Sequence, residues 1–255
     1  MKPSTISRKK YLIRALAVLF WLGVWQIASM LIGQELLLVS PVRAASTLIG
    51  LMRTRAFWQS VFLSFGHILQ GFALATALGA ALAVLAGASR TVRALLEPLM
   101  HAVKATPVAS FVILALVFIR STRLSVFISF LMVLPIMYTN ILAGIDAADR
   151  QLLEMARVFR VGPLKTAGSV YLSAVYPHFL SACTLSLGMC WKAGVAAEVI
   201  GYPRHSIGEA LYLAKLNFDT PDIFAWTLAV ILLSVGFEKL ILFLTRRLGR
   251  ALGGE

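Results

Sequence analysis

Charge is scarce in this sequence. Only 14% of its 255 residues are Asp, Glu, Lys or Arg, against 59% hydrophobic, whereas a soluble domain carries about 25% charged residues. That excludes a chain built to fold in water alone. Acidic residues are scarcer still, 11 against 24 lysines and arginines, for a formal net charge of +13. In a soluble protein such a surplus points to nucleic acid. In a chain this apolar, basic residues gather instead in cytoplasmic loops, and nucleic acid is not among the expected partners.

The groupings that carry chemistry are also missing. The histidines His67, His101, His178 and His205 form no His-x-x-x-His or Glu-x-x-His set. There is no Gly-x-Ser-x-Gly and no Gly-x-x-x-x-Gly-Lys-Ser/Thr. Metal-dependent and serine-hydrolase chemistry and ATP binding through a phosphate loop are thereby disfavoured. His67 near Ser64 reads as a packed polar contact. The two cysteines, Cys183 and Cys190, are seven residues apart in one apolar stretch. A helix separates them by about 10 Å along its axis, too far for a disulfide, so both read as packing residues. No internal repeat or low-complexity segment is present, and no polar stretch is long enough for a soluble domain.

What the sequence has is long apolar runs. About 20 helical residues cross a hydrocarbon core of about 30 Å, and six such runs can be read: Ala15 to Gly33, Val61 to Ala86, Leu95 to Ile119, Leu124 to Ile145, Tyr176 to Ile200 and Ile223 to Thr245. The expectation is an all-α integral membrane protein, one transmembrane domain over residues 1–255, with a loop at 146–173. Glu97, His101 and Lys104 thin the first half of the third run, so that span is expected to enter the membrane near Pro107. The first run follows the basic "SRKK" at 7–10 and has the outline of a signal peptide, but it is longer than a signal core of about 7–15 residues. Ser40 and Pro41 suit the start of a short helix at 40–54 on the outer surface.

Lysine and arginine set the orientation. With the N-terminus inside, the inner segments hold fourteen basic residues, among them Arg90, Arg93, Arg150, Arg157, Arg160 and Lys165; the outer segments hold seven. Both termini and residues 146–173 are therefore expected in the cytoplasm.

That inner loop contains "LLEMARVFRVGPLKTAG" (152–168). At 100° per residue, Leu152, Met155, Ala156 and Phe159 fall within about a quarter turn of one another. Arg150, Glu154 and Arg157 gather opposite them, an amphipathic pattern. Gly162 and Pro163 are expected to stop this helix and open a second short one, "PLKTAGSVYL". The pattern alone fits two uses, a helix gripped by a partner protein or an anchor lying on the membrane surface.

The residues "EMARVFRVG…VYLSAVYP" resemble the EAA loop of permease subunits of bacterial ATP-binding-cassette importers, and more narrowly the nitrate/sulfonate/taurine group. Glu154 and Ala156 match the Glu-Ala-Ala pattern, with Met155 for the first Ala. Arg160 occupies the usual Gly position, the glycine coming instead at Gly162. Leu172 matches the Leu, while Ser173 replaces the Pro. "WKAGVAAEVIG" (191–201), "SIGEALYLAK" (206–215) and "FAWTLAVILLSVGFEKL" (224–240) are also similar to that group.

The resemblance implies a multi-pass subunit of the bacterial cytoplasmic membrane that forms a solute path. Leu152, Glu154, Met155, Ala156, Arg157, Phe159 and Gly162 would form its coupling helix, docked on cytoplasmic ATPase subunits. It implies a second permease subunit, identical or related, an external solute-binding protein and a lipid surround. The chain itself would bind no cofactor, the ATP and magnesium belonging to the partner ATPase. The solute would be a nitrate, sulfonate, taurine or thiamine pyrimidine precursor.

Charges inside spans are costly and face polar cavities or one another. Lys192 and Glu198 sit about 240° apart around one helix, so they do not pair. Lys192 either lines the path, where it suits an anion, or pairs elsewhere in the subunit. Glu198, nearer the outer end, is expected to be capped or solvated, and Lys104 to reach the inner surface. Pro107 and Pro135 free backbone carbonyls within spans, which serves either gating or plain packing. Gly71, Ala75 and Gly79 recur every four residues and give one helix a smooth face for packing. A stand-alone secondary transporter is the alternative function, weakened by the lack of a repeat. An intramembrane enzyme is weaker again.

Overall fold

The computed structural model describes residues 4–251, and these are helical throughout apart from short connections. The helices are α1 (Ser4–Ile32), α2 (Pro41–Met52), α3 (Arg55–Ala88), α4 (Arg90–Ala105), α5 (Val108–Phe118), α6 (Ser121–Asp146), α7 (Arg150–Val158), α8 (Pro163–Thr166), α9 (Leu172–Gly201), α10 (Ile207–Leu216) and α11 (Thr220–Ala251). Five segments are long and apolar enough to cross a membrane: Ala15–Ile32, Arg55–Ala88, Ser121–Asp146, Pro163–Gly201 and Thr220–Thr245. α4 and α5, bent by 104° at their junction, make a sixth if counted as one broken span. The architecture is the all-helical one that the apolar runs predict. Residues 1–3 and 252–255, which carry part of the expectation for cytoplasmic termini, lie outside the described residues.

The chain forms two compact units. The larger comprises Gln59–Glu209 with the part of α11 from Val230 onward. Its core is α3, α6 and α9, brought together by small residues. An added Cβ on Gly71 would lie 2.5 Å from the Val126 carbonyl oxygen, on Gly79 2.9 Å from Met137 Cβ, and on Gly87 2.9 Å from Ile145 Cγ2. With Ala75 and Ala83, both fully buried, this is a five-member stripe at four-residue spacing. It lets two backbones approach where a larger residue would hold them apart. Positions rise together along the two helices, so α3 and α6 are parallel.

α9 runs antiparallel to both. Gly194 meets Ser129 and Ile68, while Gly144 of α6 meets Val175 and His178. The helix ends thus sort to two poles. One holds the C-terminal ends of α3 and α6 and the start of α9; the other holds the opposite ends. The α4–α5 pair returns the chain from the first pole to the second. α4 carries a charged face, whereas α5 is apolar throughout and packs Val112 and Ala115 against Leu124, Ile128, Ala193 and Ala197. Phe237 of α11 joins Phe65 and Trp191, with ring centroids 5.1 Å and 6.1 Å away.

The smaller unit comprises the chain up to Trp58 with Ala210–Ala229. α2 begins as its sequence predicts, with Ser40 accepting from the Arg43 N–H at 3.3 Å and Pro41 in the first turn. Val39 and Ala44 are buried. Trp25 stacks on Phe224 and Phe57 on Trp226, and Thr220 donates to the Leu36 carbonyl at 2.9 Å. From Leu16 to Ile32, α1 exposes many apolar side chains, among them Phe20, Trp21, Ile27 and Leu31, the composition a lipid-facing helix needs.

Candidate functional site

α7 is capped by Asp149, whose carboxylate accepts from the Gln151 N–H at 2.8 Å. None of its residues is buried. Leu152 and Met155 are about half exposed, Phe159 is 75% and Val158 79% exposed, and Leu164 in α8 reaches 89%. Five large apolar side chains thus stand open at one pole, on a segment too short and too charged to be a span. Glu154 and Arg157 lie on the opposite face of the helix.

The helix stop differs from expectation. Gly162 does not end α7: it is extended (φ −62°, ψ 153°) and precedes Pro163 at the start of α8. The left-handed residue is Arg160, at φ 51°. The Val161 N–H reaches back to the Ala156 carbonyl at 2.8 Å, closing the six-residue loop of a Schellman ending. That geometry requires a positive φ two residues after the last helical one, which makes Arg160, not Gly162, the hinge residue. Nor is "PLKTAGSVYL" a separate helix. α8 passes through a π-helical turn, Ala167–Tyr171, directly into α9. π turns are rare and concentrate at functional places. Beside this one lies an apolar cavity of about 650 Å³, lined by Val84, Ile141, Ile145, Tyr171 and Val175. The beginning of α9 is therefore held by fewer contacts than its middle.

At the other pole sits a buried carboxylate. Glu198 has no exposed surface. Its Oε2 accepts from Ser64 Oγ at 2.6 Å and from the Gly208 N–H at 3.4 Å. Ser64 Oγ in turn accepts from the Ile207 N–H at 2.9 Å. His67 Nδ1 lies 4.0 Å from Oε1. Glu198 is capped rather than solvated: it and Ser64 take up two of the free N–H groups at the start of α10. A side chain at 208 would collide with the Glu198 backbone and Cβ, so glycine is required for the approach. The approach ends a turn in which Tyr202 and His205 both have positive φ. The order of contacts is Ser–Glu–His, with the acid in the middle and the serine already engaged, so it does not activate a nucleophile.

Lys192 is exposed, on the face of α9 that also shows Leu185 and Met189, and no ion pair to it occurs among the described residues. Pro135 is buried inside α6. The helix continues through it, and one turn later Thr139 Oγ1 donates to the Pro135 carbonyl at 2.7 Å and Asn140 Nδ2 to that of Ile136 at 2.9 Å. Pro107 instead begins α5, at the break where the 104° bend occurs. The structure brings the α7 residues together at one pole and leaves Lys192, Glu198, Pro107 and Pro135 dispersed through the bundle. Sequence reasoning missed Gly208, Val158 and Leu164, and it read Ser64 and His67 as a packed polar contact without connecting them to Glu198. Only the Asp149 cap had a local signal, an acidic residue just before a helical pattern.

A family model described as Binding-protein-dependent transport system inner membrane component matches residues 75–253. The chain belongs to this family. It is similar to the bicarbonate transport system permease protein CmpB of Synechococcus elongatus, 25% identical over 191 residues covering 74% of this chain and 68% of that protein. It is similar to the nitrate import permease protein NrtB of Synechocystis, 24% identical over 207 residues, 77% and 74% of the two chains. The taurine transport system permease protein TauC of Escherichia coli is 23% identical over 199 residues, 73% and 72%. The chain is thus a multi-pass importer permease of the nitrate, sulfonate, taurine and bicarbonate group, a transport subunit and not an enzyme. As a member of a binding-protein-dependent system it works with an ATPase and a solute-binding protein.

Proposed function

We propose that this chain forms half of the path for a small anionic solute and is driven through α7 by a cytoplasmic ATPase subunit. The observation that carries the reading is α7 itself, a capped amphipathic helix with no buried residue and its apolar side chains open. An apolar stripe of that kind suits a groove on a partner, and the charges opposite it, Glu154 and Arg157, set register. Leu152, Met155, Ala156 and Phe159 enter the groove, and Arg160 and Gly162 fix the angle at which α8 leaves it. Hydrolysis of ATP with magnesium takes place on that partner.

Lys192 faces the path, an exposed cation in mid-span with no ion pair among the described residues. Its charge favours solutes like those named for the relatives: bicarbonate, nitrate, taurine. The breaks at Pro107 and Pro135 let the surrounding helices shift, and Glu198 holds the wall from behind. A second permease subunit completes the path, an external solute-binding protein delivers to it, and both termini lie with α7 in the cytoplasm.

The test is cross-linking in native membranes. A bifunctional thiol reagent on Val158→Cys should give an adduct with an ATPase subunit, identified by mass spectrometry. A cysteine at Gln34 should be labelled only from outside. Labelling of Val158→Cys from outside, or a helix that never cross-links to an ATPase, overturns the reading.

A further inference from the structure

A polar recess lies between α4 and α6. We infer that it is a binding site for the oxyanion head of a small solute. This rests on the reading of the chain as a path-forming permease.

The recess is a cleft of about 230 Å³, lined among others by Arg93, Glu97, His101, Lys104, Tyr138 and Thr139. Its wall on α4 follows from sequence spacing: 93, 97, 101 and 104 fall on one helical face. What matters is which groups are already engaged. Arg93 is: its guanidinium forks onto Asp146, with Nη1 3.3 Å from one oxygen and Nη2 on the other. Lys104 is not: its Nζ donates only to Thr139 Oγ1, at 3.3 Å, and no carboxylate lies within ion-pair distance of it among the described residues. That leaves ammonium N–H groups without an acceptor. Tyr138 is 3% exposed, and its hydroxyl is buried with no hydrogen-bond partner among the described residues. A buried hydroxyl left unmet is costly. His101, one turn before Lys104, adds a ring nitrogen to the same wall.

Donors from two helices, Lys104 and His101 on α4 and Tyr138 on α6, therefore converge on the cleft. Two carboxylates share the lining: Asp146, held by Arg93, and Glu97, which is exposed, lies a turn before His101 on the α4 wall and has no ion pair among the described residues. An oxyanion, with several lone pairs around one centre, meets donors from both sides in a way that a cation or an apolar group does not. The cleft extends from the Arg93–Asp146 pair, beside the α7 loop, to the break at Thr106–Pro107. It is a station on the α7 half of the path.

Charged thiol reagents test this, because the native cysteines are buried, at 1% and 0% exposure, and add little background. Ala143→Cys opens a thiol on the cleft, and Gly188→Cys opens one on the Lys192 face. Each is treated, in the assembled importer in vesicles, with sulfonatoethyl and with trimethylammonioethyl methanethiosulfonate, rates being normalised to a free thiol. At Ala143→Cys the anionic reagent should be favoured, and excess methanesulfonate should slow it. Lys104→Gln should lower the anionic-to-cationic ratio about tenfold, Lys104→Arg should restore it, and Tyr138→Phe should weaken the protection by methanesulfonate. A cationic preference, or a ratio indifferent to Lys104→Gln, overturns the site. If Gly188→Cys is labelled and protected while Ala143→Cys shows no anion preference, the site falls and the path reading stands. Labelling at neither position overturns both.

Discussion

Replacing Glu198 asks how much the carboxylate at the α10 pole contributes. In Glu198→Ala the Ser64 hydroxyl and the Gly208 N–H, at 2.6 Å and 3.4 Å from Oε2, lose their shared acceptor inside the protein. Each buried donor so orphaned costs about 1–3 kcal/mol, and the vacated volume adds a cavity cost. Against this, the mutation removes the penalty of keeping a charge out of water, which can exceed what a buried charge gains. Glu198→Gln separates the two effects, because its amide oxygen can still accept from Ser64 and Gly208 in a side chain of the same shape that carries no charge. If the hydrogen bonds dominate, Gln should stay within about 1 kcal/mol of wild type, while Ala loses about 2–4 kcal/mol. At about 2–4 °C per kcal/mol for a chain of this size, that places the alanine variant about 5–15 °C lower in a thermal melt in detergent. Limited proteolysis should meanwhile open the Tyr202–His205 turn in Ala and not in Gln. Ser64→Ala combined with Glu198→Ala should cost less than the sum of the two. Equal melting of Ala, Gln and wild type would refute the hydrogen-bonded clasp.

Other consequences are as specific. Gly71→Ala should destabilise by about 1–3 kcal/mol, because its Cβ would meet α6. Gly66→Ala in the same helix, with nothing within 4 Å of the added carbon, should be neutral or stabilising by up to about 1 kcal/mol; paired melts decide this. Arg160→Gly relieves a left-handed residue and should stabilise by about 1 kcal/mol, visible as slower proteolysis of the α7 loop. Lys192→Met should lower solute uptake while leaving subunit yield and ATPase recovery intact. Normal uptake would remove Lys192 from the path.

The legible part of the fold was that governed by solvent. Lipid demands long apolar helices, so the runs declared themselves, and the four-residue stripe on α3 showed where helices would pack. The 104° bend was half legible: Glu97, His101 and Lys104 marked α4 as polar and Pro107 marked the break, but no local signal gives an angle. The clasp was not legible. Ser64 is 134 residues from Glu198, and their meeting depends on how α3 and α9 cross; Gly208, ten residues after Glu198, comes back to it only through the turn at Tyr202–His205. The α7 stop was misread because glycine is the usual left-handed residue, and here the backbone demands that conformation two positions earlier, at an arginine. Val158 and Leu164 were missed because an ideal helix puts Val158 off the stripe and Leu164 lies beyond the end of α7, in α8.

The central claim, that α7 is gripped by an ATPase subunit, meets its most direct test in co-purification of the ATPase with wild type, Phe159→Ala, Glu154→Lys and Arg150→Ala, with solute uptake measured on the same preparations. A central apolar anchor typically contributes about 2 kcal/mol or more and a rim charge less. ATPase recovery and uptake should therefore fall in Phe159→Ala and Glu154→Lys, stay near wild type in Arg150→Ala, and leave membrane insertion unchanged in all. Full recovery and full uptake in both Phe159→Ala and Glu154→Lys would contradict the account.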